Sequence, residues 1–267
     1  MTGDTPSQNM KNAAPLDGEF ARFATRLALA SGEKIRGHYQ KDLVISRKAD
    51  RSIVTQADRE AETLMRDLIR REYPGHGILG EEFGRENEVA EFVWVLDPID
   101  GTISFAHGSP LFATLIALLR EDQPILGVIH NPVLNELCMG NSAAATLNGT
   151  PVKMRETASL SEATLLATDI RGIQERWGRG PFDRLLASVA VFRTWGDAHG
   201  YLMLAAGRAD IMVDSKMSPW DILPLIPILR GAGGVITTWT GGDPVSGDSC
   251  VAASPALHAE VLKILGS

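Results

Sequence analysis

The feature that most restricts the fold is a set of short, nearly unbroken apolar runs in mid-chain, at residues 92–96, 111–119, 125–129 and 136–139, divided by turn residues. A strand with one face in water alternates apolar and polar residues, and these runs leave no room for alternation. They predict strands of a sheet covered on both faces over part of its area. Helices to cover it are legible upstream. From Asp17, a candidate N-cap, Phe20, Phe23, Leu27 and Ile35 recur near helical spacing and predict an amphipathic helix ending near Gly37. A second helix is predicted from Thr55, where Thr55 and Asp58 form a T-x-x-D capping pattern. Its buried stripe is Ala61, Leu64, Met65, Leu68 and Ile69, and Tyr73-Pro74-Gly75 stops it.

Beyond about residue 160 strands and helices alternate. Strands are predicted at 165–168, 189–194, 211–213 and 250–253, and helices at 198–206, 222–229 and 255–265, the middle one stopped by Gly231-Ala232-Gly233-Gly234. The fold class is therefore mixed α/β (α+β). A flexible arm over 1–16, an N-terminal α+β half over 17–160 and a C-terminal α/β half over 161–267 are expected, with a soft boundary at 158–162. A net charge of −7 with no basic block predicts neither nucleic-acid nor anionic-membrane partners. No apolar run approaches the roughly 18 residues of a membrane helix, and the start lacks the basic-then-apolar order of a signal peptide. A soluble, cytoplasmic protein is expected. Cys138 and Cys250 match neither a zinc pattern nor a redox CxxC and are expected to be buried thiols.

The chemistry centres on Phe92-Val93-Trp94-Val95-Leu96-Asp97-Pro98-Ile99-Asp100-Gly101-Thr102. An apolar strand delivers Asp97 and Asp100 to its C-terminal edge, Pro98 fixes the backbone and Gly101 permits a tight turn. Two carboxylates and an intervening carbonyl make a partial shell for a hard divalent cation such as Mg²⁺. The turn after Gly101 also offers N–H groups and the Thr102 hydroxyl to a phosphate. On residues alone, the same stretch also fits an Asp-Pro strand exit with an Asx turn. Gly80-Glu81-Glu82-Phe83-Gly84 is either a solvated loop or a ligand arm, and Asp221 in Ser218-Pro219-Trp220-Asp221 is either a capping acid or a ligand.

Taken together and in order, Val54-Thr55-Gln56-Ala57-Asp58, the GEE at Gly80, the DPIDGT at Asp97 and the WD at Trp220 resemble the inositol monophosphatase superfamily of metal-dependent, lithium-sensitive phosphatases. The resemblance spans residues 48–234. It implies a layered αβαβα sandwich, two or three Mg²⁺ ions, a small phosphate ester as substrate and a homodimer. It also implies that Glu81, Asp97 and the Ile99 carbonyl hold one ion, that Asp97, Asp100 and Asp221 hold a second, and that a weaker third sits beside Glu81. Asp58 and Thr102 are implied as the pair that orients and deprotonates the attacking water, with the N–H groups of Gly101 and Thr102 on phosphate. The hydrolysis needs an in-line water, neutralised phosphate oxygens and a stabilised leaving alkoxide, which a multi-metal site supplies together.

The segment Arg193-Thr194-Trp195-Gly196-Asp197-Ala198-His199-Gly200-Tyr201 stands where inositol phosphatases carry a run of small residues, and it looks like the histidinol-phosphate phosphatase branch. Asp197 and Asp214 are then partners for the ammonium or imidazole of L-histidinol phosphate, with Arg193, Trp195 and Gly196 in the same pocket. The segment equally fits a buried aromatic, a turn glycine and an N-cap for the helix from Ala198. After Thr102 the chain reads Ile103-Ser104-Phe105 rather than the family's more usual Thr-Asn-Phe or Arg-x-Phe. Inositol 1-phosphate or a range of small phosphates is the alternative substrate, and a catalytically silent metal-dependent binding protein the alternative of another class. No HExxH, GxSxG, Walker A or GxGxxG is present.

Overall fold

In a computed structural model that describes residues 16–41, 45–47, 53–87 and 89–266, the chain opens with helix α1 (Glu19–His38). A hairpin of β1 (Ile45–Arg47) and β2 (Ile53–Thr55) runs into helix α2 (Gln56–Glu72). An eight-stranded sheet follows: β3 (Gly77–Gly80), β4 (Gly84–Glu86), β5 (Phe92–Asp100), β6 (Ala113–Arg120), β7 (Gln123–Asn131), β8 (Glu136–Gly140), β9 (Ala145–Leu147) and β10 (Thr150–Pro151). The short helix α3 (Thr102–Ala106) follows β5. The sheet order is β10-β9-β8-β7-β6-β5-β3-β4, antiparallel except for the parallel pair β3 and β5.

The rest of the chain comprises β11 (Thr164–Ala167), α4 (Ile170–Trp177), α5 (Arg179–Ser188), β12 (Val191–Arg193), α6 (Asp197–Ala205), β13 (Ile211–Asp214), α7 (Pro219–Ile222), α8 (Leu225–Gly231), β14 (Val235–Thr237), β15 (Cys250–Ala253) and α9 (Pro255–Leu265). Its five-stranded sheet has the order β12-β11-β13-β15-β14, with β12, β11 and β13 parallel.

The apolar runs are unbroken because consecutive side chains enter different cores. Along β5, Trp94 and Leu96 pack under α1 and α2, while Val95 faces the opposite layer. In β6, Ile116 and Leu118 share the first core, and Leu115, Ala117 and Leu119 the second. That second core is filled by α6, α7 and α8, of which α6 and α8 also line the inner face of the five-stranded sheet. A middle layer has no wet side, so α6 buries Ala198, Gly200, Tyr201, Leu202, Leu204 and Ala205 around its circumference. On the outer face of the second sheet, Ile173 of α4, Phe182 and Leu185 of α5 and Leu257 and Val261 of α9 close the last core. The layers thus run α, β, α, β, α. Each large apolar side chain buried this way contributes about 1.5–3 kcal/mol.

Several sequence expectations shift. The helix expected over 222–229 is two pieces, α7 and α8, because Pro224 has no N–H to continue the ladder and its ring clashes with the preceding turn. Gly18, not Asp17, is the N-cap of α1. The strand expected at 189–194 shortens to β12, and α4, α5, β14 and the hairpin are additions. The arm expected over 1–16 lies outside the described residues except for Leu16, which packs on the first core. Both cysteines are buried thiols. Among the described residues no helix is long and apolar enough to cross a membrane.

Candidate active site

The parallel pair β3 and β5 sets the site. Gly80 is in register with Leu96, and the Glu81 N–H donates to the Leu96 carbonyl at 3.1 Å, so Glu81 leaves β3 where Asp97 leaves the regular part of β5. Opposite β6 the register slips: Asp97 faces Leu115 but Asp100 faces Ala113, one residue too many on β5. This bulge over Pro98 and Ile99 turns Asp100 toward the same side as Asp97. The Pro98 carbonyl is anchored by the Thr114 hydroxyl at 2.8 Å, and Asp97 Oδ1 accepts the Ile99 N–H at 3.0 Å. Gly101 then takes φ +85°, and a Cβ there would come within 2.9 Å of the Leu111 carbonyl, so glycine is required.

Asp221 arrives from the other sheet. It is the third residue of α7, in a capping box in which Asp221 Oδ2 accepts the Ser218 N–H at 2.7 Å. Asp97, Asp100 and Asp221 each bring a carboxylate oxygen within 4.8 Å of the others. Capping and ligand roles therefore coexist in Asp221. Burial pushes the Asp97 carboxyl well above the usual range, and Glu81, Asp100 and Asp221 push it further. Burial raises Asp100 likewise, with Asp197 and Asp221 adding to it against the Ala198 N–H. Asp221 is raised to about 7, mainly by burial.

Asp58 lies in the first turn of α2 and is buried. Its Oδ2 accepts the Thr55 N–H at 2.8 Å and the Thr55 hydroxyl at 2.5 Å, while Oδ1 is buried with no partner among the described residues. Burial first, and Glu81 among the lesser causes, lifts this carboxyl to about 6. The pairing of Asp58 with Thr102 implied by the resemblance is not closed as a hydrogen bond. Thr102 begins α3 three residues after Ile99, and its hydroxyl donates to the Ile99 carbonyl at 2.9 Å instead.

A cavity of about 500 Å³ opens beside the cluster, lined by Glu81, Gly101, Thr102, Ile103, Ser104, Thr168, Asp169, Thr194, Gly196 and Asp197 with Ile53 and Leu111. Asp197 adopts φ +50°, a left-handed conformation that costs a side-chain-bearing residue about 1–2 kcal/mol. Its N–H donates to Thr168 Oγ1 at 2.8 Å, the next N–H, of Ala198, donates to Asp100 Oδ2 at 2.5 Å, and its carboxylate lies against Gly101. Gly196 rather than Asp197 is the N-cap of α6. Burial, with Asp214 and Asp221 nearby, raises Asp197 to about 7.

Asp214 ends β13 with both oxygens engaged, Oδ1 by the Thr168 N–H at 3.1 Å and Oδ2 by the Tyr201 hydroxyl at 2.8 Å. Burial raises it to about 6 against those bonds. Arg193 and Trp195, expected in the same pocket, are not among the residues that line the cavity: Trp195 is 42% exposed, and the Arg193 guanidinium lies 5.9 Å over its ring. Sequence reasoning passed over Thr168 and Asp169, which line the cavity, and Glu62 and Arg66 behind the Glu81 turn. Only the last two left a signal, two charged residues four apart among the apolar positions of α2.

The donors suit Mg²⁺: clustered hard carboxylate oxygens, the adjacent Ile99 carbonyl and the orphaned Asp58 Oδ1, in surroundings that disfavour uncompensated negative charge.

A model of the inositol monophosphatase family matches residues 17–267. The chain is 42% identical to the chloroplastic bifunctional phosphatase IMPL2 of Arabidopsis thaliana, covering 90% of this chain and 72% of that one. It is 35% identical to the histidinol-phosphatase of Chlorobaculum parvum, covering 92% and 96%. Among solved structures, an inositol monophosphatase from Zymomonas mobilis superposes with a TM-score of 0.82 at 33% identity, covering 92% and 97%.

Proposed function

Because this chain belongs to the inositol monophosphatase family, whose phosphatases depend on Mg²⁺, we propose that it hydrolyses L-histidinol phosphate to L-histidinol and inorganic phosphate. The observation that carries this reading is Asp197, a carboxylate on a left-handed backbone in the wall of a cavity whose charged lining side chains among the described residues, Glu81, Asp169 and Asp197, are all acidic. Beyond its phosphate, inositol phosphate offers only hydroxyls. Histidinol phosphate offers an ammonium and an imidazole, which an acidic wall attracts. The likeness to the Chlorobaculum parvum histidinol-phosphatase supports the same substrate.

Glu81, Asp97 and the Ile99 carbonyl would hold one Mg²⁺, and Asp97, Asp100 and Asp221 a second, with a third, weaker site beside Glu81. Bound there, the ions supply neutralisation of the phosphate oxygens, a more acidic attacking water and stabilisation of the leaving alkoxide. Asp58 presents its unpartnered Oδ1 to that water as base, and a carboxyl near 6 is well matched to the task at neutral pH. Thr102 donates its hydroxyl hydrogen bond to the Ile99 carbonyl and keeps its lone pairs to accept from the water. The N–H groups of Gly101 and Thr102 hold phosphate. Water attacks phosphorus opposite the ester oxygen and Asp58 takes its proton; as the P–O bond breaks the departing alkoxide takes a proton from a solvent water, and Asp58 returns the proton it holds to the hydroxide so formed. Asp197 pairs with the substrate ammonium, while Asp214 fixes Thr168 and through it the Asp197 backbone. Gly196 borders the imidazole, and Arg193 and Trp195 would reach it only from outside the cavity's lining.

The test is phosphate release from histidinol phosphate and inositol 1-phosphate in parallel, with Mg²⁺ and with chelator, for the native protein and D197A. A Mg²⁺-dependent preference for histidinol phosphate is expected, with D197A raising its KM about tenfold more than that of the inositol ester, as loss of one charge-assisted bond implies. Preference for inositol 1-phosphate, which the likeness to the Zymomonas mobilis enzyme favours, or equal effects of D197A on both, would overturn the histidinol reading.

A further inference from the structure

Helix α2 places three charged side chains on its buried face at intervals of four, Asp58, Glu62 and Arg66, and only Asp58 faces the acidic cluster. Glu62 is 0% exposed and Arg66 4%. Burying such a pair is costly unless every polar atom finds a partner. Here the partners lie in the turn that carries Glu81. Glu62 Oε2 accepts the Glu82 N–H at 2.7 Å, and Oε1 accepts the Phe83 N–H at 3.2 Å and Arg66 Nε at 2.8 Å. Arg66 donates onward to the Gly84 carbonyl and, at 3.3 Å, to Glu86. At Gly80, just before the turn, a Cβ would fall 2.0 Å from Glu62 Oε1, so the strand rests directly on the carboxylate. On the far side the Glu81 N–H is tied to Leu96.

The segment before and after Glu81 is thus gripped by a buried ion pair that contributes nothing else to the cavity. We propose that Glu62 and Arg66 are positioning residues for Glu81: they fix the backbone of the 80–84 turn and so set how tightly the acidic cluster binds Mg²⁺. The inference rests on the reading of Glu81 as a metal ligand.

The variants are E62Q, E62L/R66M, E81Q and E62Q/E81Q. In E62Q an amide NH₂ must face either the Glu82 N–H or the Phe83 N–H and Arg66, donor against donor. E62L/R66M removes both charges together and so avoids a buried unpaired arginine. Mg²⁺ binding is measured by calorimetry without any ester, melting in chelator reports folding, and KM is measured at saturating Mg²⁺. E62Q and E62L/R66M are expected to raise the Mg²⁺ Kd about tenfold, the loss typical when a residue supporting a ligand is removed. KM should change less than about twofold, and E62Q should add less than about twofold in the E81Q background, as expected for groups acting through one another. If E62L/R66M does not fold, E62Q decides. A lowered melting temperature with unchanged Mg²⁺ affinity, or a full multiplicative effect of E62Q on top of E81Q, overturns the proposal. If E81Q itself leaves Mg²⁺ affinity unchanged, the ligand reading of Glu81 fails. If E81Q weakens binding and E62Q does not, only the positioning role fails.

Discussion

Freed of metal by chelator, the protein should lose stability as the pH rises from 5 to 8. The site carboxyls have raised folded pKa values, about 7 for Asp221, with Asp97 and Asp100 also well above the ordinary 3.8. Between those limits the folded protein holds more protons than the unfolded chain, so their stabilising contribution is present at low pH and is lost as pH climbs through the folded values. A shift from 3.8 to about 7 corresponds to at most about 4 kcal/mol for one carboxyl. The clustered carboxyls share their protons, so the loss belongs to the cluster, and about 2–4 kcal/mol is the expected size. In a domain this long that lowers the melting temperature by about 5–15 °C. Mg²⁺ at a hundred times its Kd should return about 2.7 kcal/mol at pH 8 and much less at pH 5, where protons must first leave the ligands. Scanning calorimetry with and without Mg²⁺ across this range is the assay, with D221N as control, which should flatten both trends. A chelated protein that melts higher at pH 8 than at pH 5, or a Mg²⁺ increment indifferent to pH, would refute the reasoning.

D100N keeps an oxygen for the Ala198 N–H, so it should fold and melt in chelator at or above the native temperature. Its turnover should fall about a thousandfold or more in a phosphate-release assay, the several kcal/mol that a lost cation ligand implies. R155A strips the arginine from Asp210, which is 1% exposed, and should cost about 2–3 kcal/mol by denaturant titration while leaving KM unchanged. Asp210 is held below its usual range by Arg155 and Thr157 against the cost of burial, so its contribution is lost as pH falls, the opposite sign to the site acids. Y201F leaves Asp214 Oδ2 without its phenol donor and should cost about 1–3 kcal/mol, seen as a lower melting temperature.

What the sequence showed most clearly was the twice-covered sheet, because burial on both faces removes alternation and leaves runs such as 92–96 apolar throughout. Asp97 and Asp100 stood out as two acids closing an apolar strand, and the ordered set of GEE, DPIDGT and WD, rather than the pair alone, distinguished ligands from an Asx turn. The break between α7 and α8 was readable from Pro224 but was masked by the apolar residues around it. The helices α4 and α5, over 170–188, bury only Ile173, Phe182 and Leu185, too few for a periodic stripe. The fate of Asp214 was not legible, because an acid at a strand end looks the same whether its oxygens face a ligand or are taken by Thr168 and Tyr201.

One distinction among the buried acids separates site from scaffold. Glu62 and Asp210 are each matched by an arginine, Arg66 and Arg155, and serve to hold backbone. The carboxylates beside the cavity accept backbone N–H groups instead: Asp97 that of Ile99, Asp100 that of Ala198, Asp221 that of Ser218 and Asp58 that of Thr55, with the Thr55 hydroxyl besides. A peptide dipole orients a carboxylate without cancelling its charge, whereas a guanidinium both orients and neutralises it. Carboxylates held without a guanidinium keep net charge to share with a cation and, as with Asp58 Oδ1, an oxygen with no partner among the described residues. Folding bears the repulsion of that cluster, and a divalent cation relieves it. The partner of a buried acid thus says more about its role than its burial does: Asp214, with one oxygen taken by an N–H and the other by a phenol, has none to spare and holds Thr168 in place.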